Sequence, residues 1–344
     1  MDSKGQRVND REDTADTSHR VTTQRCEHLE PTQVRSLLRL NLNPARVVVL
    51  LHDDSEQAPW RYKAAYRREM VECFQAISAE PDVRAVVVSG AGKIFTAGMD
   101  LGDMMGSMLI DGADTAMKAL KKTTNIRQLQ ETFSVIEKCP KPVIAAVHSA
   151  CVGGGVDLIT ACDIRLCTQD AWFQIKHVDI WLPADVGTLQ RLPKVIGNDS
   201  LARELAFTGR RFKAEEAKQM GLVSGIYPDR EAVLEAALDL ATAIASKSPI
   251  AVQVTKISMV HFRDHSVQEG LGHVALWNST MLQSEGVAEG MQASMKKRKP
   301  EFSKLGELLS QSVLRNVLSV AASRLLDSEG RESTGIPMSL WQRF

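Results

Sequence analysis

A chain of 344 residues with 42 basic and 42 acidic side chains has no formal net charge, so nothing in its charge indicates a nucleic-acid partner. The six cysteines are scattered and mostly lie in or beside apolar runs, which indicates reduced core residues of an intracellular protein rather than disulfides or a metal site. No apolar run is long enough to span a membrane, and the N-terminus lacks the apolar core of a signal peptide.

The first half of the chain alternates strand and helix patterns. Residues 1–30 are polar and poor in large apolar side chains, and we expect them to be disordered. Their acidic residues argue against a mitochondrial transit peptide. Apolar runs predict strands over 46–51 and 85–89, and helical spacing predicts helices over 62–77 and 126–138.

A glycine-rich turn follows the next predicted strand, Val143–Val147. Gly153, Gly154 and Gly155 come before an apolar run that is typical of a helix start. Glycine lets the backbone approach a ligand, and a helix N-terminus adds unpaired N–H groups and the positive end of a dipole. Such a turn can stabilise negative charge on an oxygen, although a plain strand-to-helix turn also requires glycine.

A second turn of small residues follows the strand predicted over 85–89. Its candidate substrate-binding residues are Thr96, Ala97, Gly98, Met99 and Asp100. Two such turns can each supply one N–H group to the same oxygen.

The second half of the chain changes from mixed to helical patterns. Residues 171–185 predict a strand that leads into a loop, and helices are predicted over 201–207, 213–220 and 230–247. The chain after Ser248 has little β signal, and 308–326 is an amphipathic segment. The alternation of strands and helices predicts an α/β protein with a mainly parallel sheet.

These motifs resemble the crotonase (enoyl-CoA hydratase/isomerase) superfamily over roughly residues 80–300. The two glycine turns carry the general resemblance. Three longer matches are most similar to the Δ3,5-Δ2,4-dienoyl-CoA isomerases of that superfamily, and they cover 68–74, 184–197 and 263–267.

The resemblance implies a fold and a domain organisation. We expect a crotonase spiral of ββα repeats over 31–248 and a helical C-terminal region over 249–305 that packs at a subunit interface. Residues 306–344 are a C-terminal extension, whose amphipathic helix covers an oligomer surface, binds a partner or folds back on its own core. Family members assemble as homotrimers or as hexamers made of two trimers.

The resemblance also implies the ligand, an acyl-CoA thioester, with no metal and no redox cofactor. The thioester oxygen gains charge as C2 loses a proton, and the backbone N–H groups of Met99 and Gly154 are the implied oxyanion donors. The family's usual CoA-binding segment is replaced here by residues 55–62. Arg61 and Lys63 either meet a CoA phosphate there or are solvated residues at a helix start. The basic run 296–299 has the same two interpretations.

Three acidic positions line the pocket of dienoyl-CoA isomerases. The first and third correspond to Asp157 and Asp185, but the second, a glutamate in the family, is His177 here. His177 either accepts a proton, donates one as imidazolium, or is a structural hydrogen-bonded residue. Asp157 alternatively caps its own helix, and Asp185 alternatively holds the turn before Gly187. Trp181 replaces a glycine and is expected to narrow the pocket.

The resemblance therefore predicts an isomerase that converts 3,5-dienoyl-CoA to 2,4-dienoyl-CoA in fatty-acid oxidation. The alternatives are a 2-enoyl-CoA hydratase or isomerase, and a catalytically silent acyl-CoA-binding homologue. Residues 102–125 are expected to form a mobile cover over the acyl pocket. The activity suggests a mitochondrion or a peroxisome, but Ser303-Lys304-Leu305 is internal, so a receptor that reads a C-terminal Ser-Lys-Leu should not recognise it.

Overall fold

A computed structural model describes residues 38–42, 46–52, 64–98 and 114–302 of the chain. Several predictions lie outside these residues. They are the disordered segment 1–30, the cover residues 102–113 and the extension 306–344, together with Arg61, Lys63, Met99 and Asp100.

The main sheet has six strands in the order β1-β2-β3-β4-β6-β9. All neighbours in it are parallel except β1 and β2, which are antiparallel. A second sheet has the order β5-β7-β8. The strand bounds are β1 Leu38–Leu42, β2 Val47–His52, β3 Ala85–Gly90, β4 Val143–Val147, β5 Ala150–Val152, β6 Ile164–Thr168, β7 Trp172–Gln174, β8 Arg211–Lys213 and β9 Gly225–Tyr227. The predicted mainly parallel sheet is therefore confirmed.

Helices cover both faces of the main sheet and make up most of the C-terminal part. Their bounds are α1 Ala64–Ala79, α2 Thr115–Lys138, α3 Gly154–Ala161, α4 Thr188–Ile196, α5 Asp199–Thr208, α6 Ala214–Gln219, α7 Arg230–Ala245, α8 Pro249–His261, α9 Val267–Met281 and α10 Glu285–Met295. A short 3₁₀ helix spans Lys176–Ile180. The described residues after Ser248, 249–302, are mostly helical, as predicted. No helix in the described ranges combines the length and apolarity that crossing a membrane requires.

The central strands are mostly apolar because both of their faces are buried. In β3, Val86 and Val88 belong to the larger core, which also contains residues of α1, α2 and α3. The alternate residues, Ala85 and Val87, belong to a second core beneath α7. This period of two fixes the register of the sheet, since a shift by one residue would exchange the two cores.

Helix α2 begins just over half-way through the segment 102–125 that was predicted to be a mobile cover. Asp114 caps it by accepting a hydrogen bond from the backbone N–H of Ala116 at 3.2 Å. Residues 115–125 are therefore helical, and the helix predicted over 126–138 begins at Thr115 instead. Their role as a cover of the acyl pocket stays a prediction. These residues are almost all exposed and lack an apolar stripe, so their periodicity did not indicate a helix.

The cysteines of the described chain are buried and free, as predicted. They are Cys73, Cys139, Cys151, Cys162 and Cys167. Burial raises the pKa of Cys162 to about 12, so its thiol stays neutral at physiological pH.

Candidate active site

The two predicted turns lie side by side at the ends of β3 and β5. Thr96 bridges to β5, because its N–H donates to Ala150 at 2.9 Å and its carbonyl accepts from Val152 at 3.2 Å. Gly98 and Gly153 adopt φ values of +92° and +54°, which favour glycine. A Cβ on Gly98 would stand 3.0 Å from the carbonyl oxygen of Val152. The backbone of one turn therefore approaches the other closely.

Thr96 is the buried contact that sets the distance between the turns. Its hydroxyl accepts a hydrogen bond from the N–H of Gly98 at 3.0 Å, and its methyl group packs against Gly155 at the start of α3. Ala97 is half-buried beside it. The turns are thus brought together as the sequence predicted, while the paired N–H donors of Met99 and Gly154 stay a prediction because Met99 lies outside the described residues.

Asp157 lies in the first turn of α3 and is fully buried. It does not cap its own helix, so that alternative is wrong. Instead, Oδ1 accepts two hydrogen bonds from Thr188, one from the backbone N–H and one from the hydroxyl, both at 2.6 Å. Asp157 therefore accepts the backbone N–H of Thr188, the first residue of α4, which has no partner within the helix. The N-cap residue of that helix, Gly187, has no side chain that could accept it.

The second oxygen of Asp157 faces His177. Oδ2 lies 3.5 Å from Nε2, and the His177 side chain is 11% exposed. Burial raises the pKa of Asp157 above its ordinary value, while the His177 imidazole and the two Thr188 donors oppose this rise. Nδ1, the other ring nitrogen of His177, is buried and has no hydrogen-bond partner within the described ranges. Two of the three predicted proton-handling residues are thus in contact.

Asp185 stands apart from that pair. It is half-buried and lines a cavity of about 330 Å³ that Asp157 and His177 do not line. Its backbone carbonyl accepts a hydrogen bond from Gln130 Nε2 at 2.8 Å, but no group in the described part of the chain donates to its carboxylate. The side chain therefore does not hold the turn before Gly187.

A charged network beneath this loop fixes its backbone. Arg191 is 11% exposed and donates to Glu137 at 3.2 Å and to Ser134 at 3.0 Å. It also contacts the carbonyl of Val186 at 3.5 Å. Sequence patterns missed Gln130, Thr188 and Arg191 as parts of the site. Thr188 and Arg191 lie inside the family-like stretch 184–197, which was the available signal.

The structure also places Trp181, Asp179 and Arg298. Trp181 is 93% exposed and adopts φ +61°, so the expectation that it narrows the pocket is wrong for this chain. An αL backbone favours glycine, which agrees with the glycine that the resemblance implies at this position. Asp179 is structural, since it accepts hydrogen bonds from Gln174 and Lys176. Arg298 in the basic run pairs with Glu289 at 2.6 and 2.7 Å, which supports the interpretation of a solvated helix end for this residue.

Comparison with known sequences identifies clear relatives of the chain. A family model described as enoyl-CoA hydratase/isomerase matches residues 62–305. The mitochondrial Delta(3,5)-Delta(2,4)-dienoyl-CoA isomerase of Homo sapiens is 58% identical over 242 residues, which cover 69% of this chain and 74% of that protein. The peroxisomal Delta(3,5)-Delta(2,4)-dienoyl-CoA isomerase of Arabidopsis thaliana is 45% identical over 239 residues, covering 69% of this chain and 86% of that protein.

Solved structures have the same fold. The crystal structure of an enoyl-CoA hydratase from Bacillus anthracis superposes with a TM-score of 0.69 at 29% sequence identity, and the match covers 78% of this chain and 99% of that one. An enoyl-CoA hydratase from Geobacillus kaustophilus gives a TM-score of 0.70 at 24% identity, covering 79% of this chain and 98% of that one. The predicted crotonase fold is therefore confirmed.

Proposed function

Because the chain belongs to the enoyl-CoA hydratase/isomerase family, we propose that it converts a 3,5-dienoyl-CoA to the 2,4-dienoyl-CoA. The observation that carries this proposal is the arrangement of the three matched positions on a chain 58% identical to a named dienoyl-CoA isomerase. Asp157 and His177 are in contact, and Asp185 presents a carboxylate to which no described group donates. The proposed chemistry uses no metal and no redox cofactor.

The reaction moves one proton away from C2 and brings another to C6. His177 takes the proton from C2, and the electron pair of the broken C–H bond passes into a conjugated thioester enolate. Asp185, protonated at that stage, gives its proton to C6, which moves both double bonds toward the thioester. His177 then loses a proton to water and Asp185 regains one, so the cycle is balanced.

The enolate oxygen requires donors that are already in place. We assign this role to the backbone N–H groups of Met99 and Gly154, with Thr96 and Gly98 fixing the first turn against the second. Preorganised donors of this kind typically contribute about 10²–10³-fold to kcat each. Bound thioester would lie across the two turns, with its acyl chain toward His177 and Asp185.

Asp185→Asn tests the assignment of the distal proton. The amide keeps the size of the carboxylate but cannot deliver a proton, so kcat should fall by about 10²–10⁴-fold with little change in unfolding midpoint. Asp199→Asn is the matched control, because Asp199 is an exposed residue of α5 that pairs with Arg203. The role of Asp185 is wrong if both variants retain the turnover of the unmodified protein.

Assembly and compartment belong to the same proposal. The α8–α10 region exposes large apolar side chains, among them Val267 at 81% and Met295 at 85%, which supports a homotrimer or homohexamer. Light scattering of the full chain would give the number of subunits, and a monomer would contradict the proposal.

Relatives are named mitochondrial or peroxisomal, and we propose one of these compartments. Fluorescent tagging of the full chain distinguishes them, and localisation to neither would contradict the proposal.

A further inference from the structure

We propose that Thr188 is a positioning residue that sets the tautomer of His177, and that Nδ1 is the ring atom that exchanges a proton with the substrate. The family-like pattern assigns a glutamate where His177 stands, so it does not specify which nitrogen acts. The inference deepens the proposed function, and its kinetic readout rests on that function.

The orientation of Asp157 is the first step. Thr188 donates both its backbone N–H and its hydroxyl to Oδ1 at 2.6 Å, so this oxygen is fully engaged. The remaining oxygen, Oδ2, is buried, lacks a hydrogen-bond partner among the described residues and lies 3.5 Å from His177 Nε2. A carboxylate held in this way acts on the imidazole through one oxygen only.

The tautomer follows from that contact. Two donors on Oδ1 stabilise the ionised form of Asp157 against the cost of its burial. An ionised Oδ2 can only accept, so the neutral imidazole places its proton on Nε2 and leaves a lone pair on Nδ1. Nδ1 is buried and has no hydrogen-bond partner within the described chain, so no described group competes for its lone pair. The imidazolium formed by proton transfer is stabilised by the same carboxylate.

Asp157→Asn reverses this arrangement with little change of shape. The asparagine oxygen can still accept both bonds from Thr188, but its amide nitrogen donates toward Nε2. The neutral imidazole must then accept at Nε2 and carry its proton on Nδ1, which removes the base. Because the substitution also removes a buried carboxylate, the variant is expected to fold with an unfolding midpoint equal to or above that of the unmodified protein.

The first test is ¹⁵N NMR of the ligand-free full chain with labelled histidine, the His177 signals being assigned with a His177→Gln variant. We expect the Nε2–H tautomer in the unmodified protein and the Nδ1–H tautomer in Asp157→Asn. An Nδ1–H tautomer in the unmodified protein, or no change in Asp157→Asn, overturns the inference. This readout needs no turnover, so it stays interpretable if the protein does not isomerise dienoyl-CoA.

The second test examines Thr188 by kinetics. Thr188→Val removes the hydroxyl donor at nearly constant volume, and kcat should fall about tenfold with KM unchanged, the usual order for a hydrogen bond to a charged group. Thr188→Ser restores the hydroxyl and should recover kcat to within about threefold. Equal kcat values in the valine and serine variants, together with an unchanged tautomer in Thr188→Val, would show that Thr188 has no positioning role.

Discussion

Gly155→Ala should damage both the stability and the activity of the protein, because Gly155 lies where the two turns meet. An added Cβ would stand 3.0 Å from Cys151 Sγ and closer still to the methyl carbon of Thr96. Both neighbours are 0% exposed, so neither can move into solvent. Thr96 is further restrained by backbone bonds on both sides and by its bond from Gly98.

The magnitude follows from the two ways in which the clash can be relieved. Overpacking a buried site costs about 1–3 kcal/mol. Rotating Thr96 away from the new methyl group instead breaks its hydrogen bond with Gly98, at about 0.5–1.5 kcal/mol. Because these routes are alternatives, we expect the free energy of unfolding to fall by about 0.5–3 kcal/mol, the span of the two ranges. Either route displaces the turn that contains Thr96, and with it the proposed oxyanion donor. A displacement of up to about 1 Å should lower kcat by up to about 10²-fold.

Guanidinium unfolding and steady-state kinetics measure the two effects. Gly272→Ala is the control, because a Cβ there meets nothing within 4 Å and the residue is exposed on α9. That change should stabilise the protein by about 0.4–1 kcal/mol. Adding Thr96→Ser to Gly155→Ala removes the clashing methyl group and keeps the hydroxyl, so it should recover most of the loss. A Gly155→Ala protein as stable and as active as the unmodified one would refute this reasoning.

Two further predictions concern basic groups, the buried Lys141 and the half-buried His273. Lys141→Met leaves the carbonyls of Ile77 and Glu80 without their donor and should cost about 2–4 kcal/mol in urea unfolding. Burial lowers the pKa of Lys141 from 10.5 to about 8. The unmodified protein should therefore become more stable relative to Lys141→Met as the pH rises from about 8 to 10.5. A stability difference that stays constant over this range would contradict the prediction. Burial, with its neighbours His261 and His265, lowers the pKa of His273 from 6.5 to about 4. The free energy of unfolding should thus fall as the pH drops from 6.5 to about 4, and it should fall less in His273→Phe. Thermal unfolding at a series of pH values measures both, and the same pH dependence in the two proteins would contradict the prediction.

The parts of the fold that the sequence predicted are those governed by local pattern. The strand Val143–Val147 was recognisable because a strand buried on both faces is a continuous apolar run. Gly197 ends α4 with φ +63°, a left-handed backbone that glycine at a helix C-terminus typically adopts. The first half of α2 was missed because an exposed helix with lysines and threonines carries no apolar stripe.

The site was predictable only as a set of positions. The motifs identified Asp157, His177 and Asp185, but the bond that orients Asp157 joins residues 31 positions apart. No periodicity reports such a contact. The direction of Trp181 was likewise inaccessible, because side-chain size does not reveal a positive φ that turns the ring outward.

Direct observation of turnover tests the central claim, that imidazole replaces a carboxylate in a working isomerase. The purified full chain would be mixed with a 3,5-dienoyl-CoA, and the conjugated 2,4-dienoyl thioester followed by its absorbance, alongside His177→Glu and His177→Gln. We predict turnover by the unmodified protein and a loss of about 10²–10⁴-fold in the glutamine variant. If the unmodified protein shows no turnover while His177→Glu is active, the account is contradicted. The pocket would then be intact, and the histidine at position 177 would be the cause of inactivity.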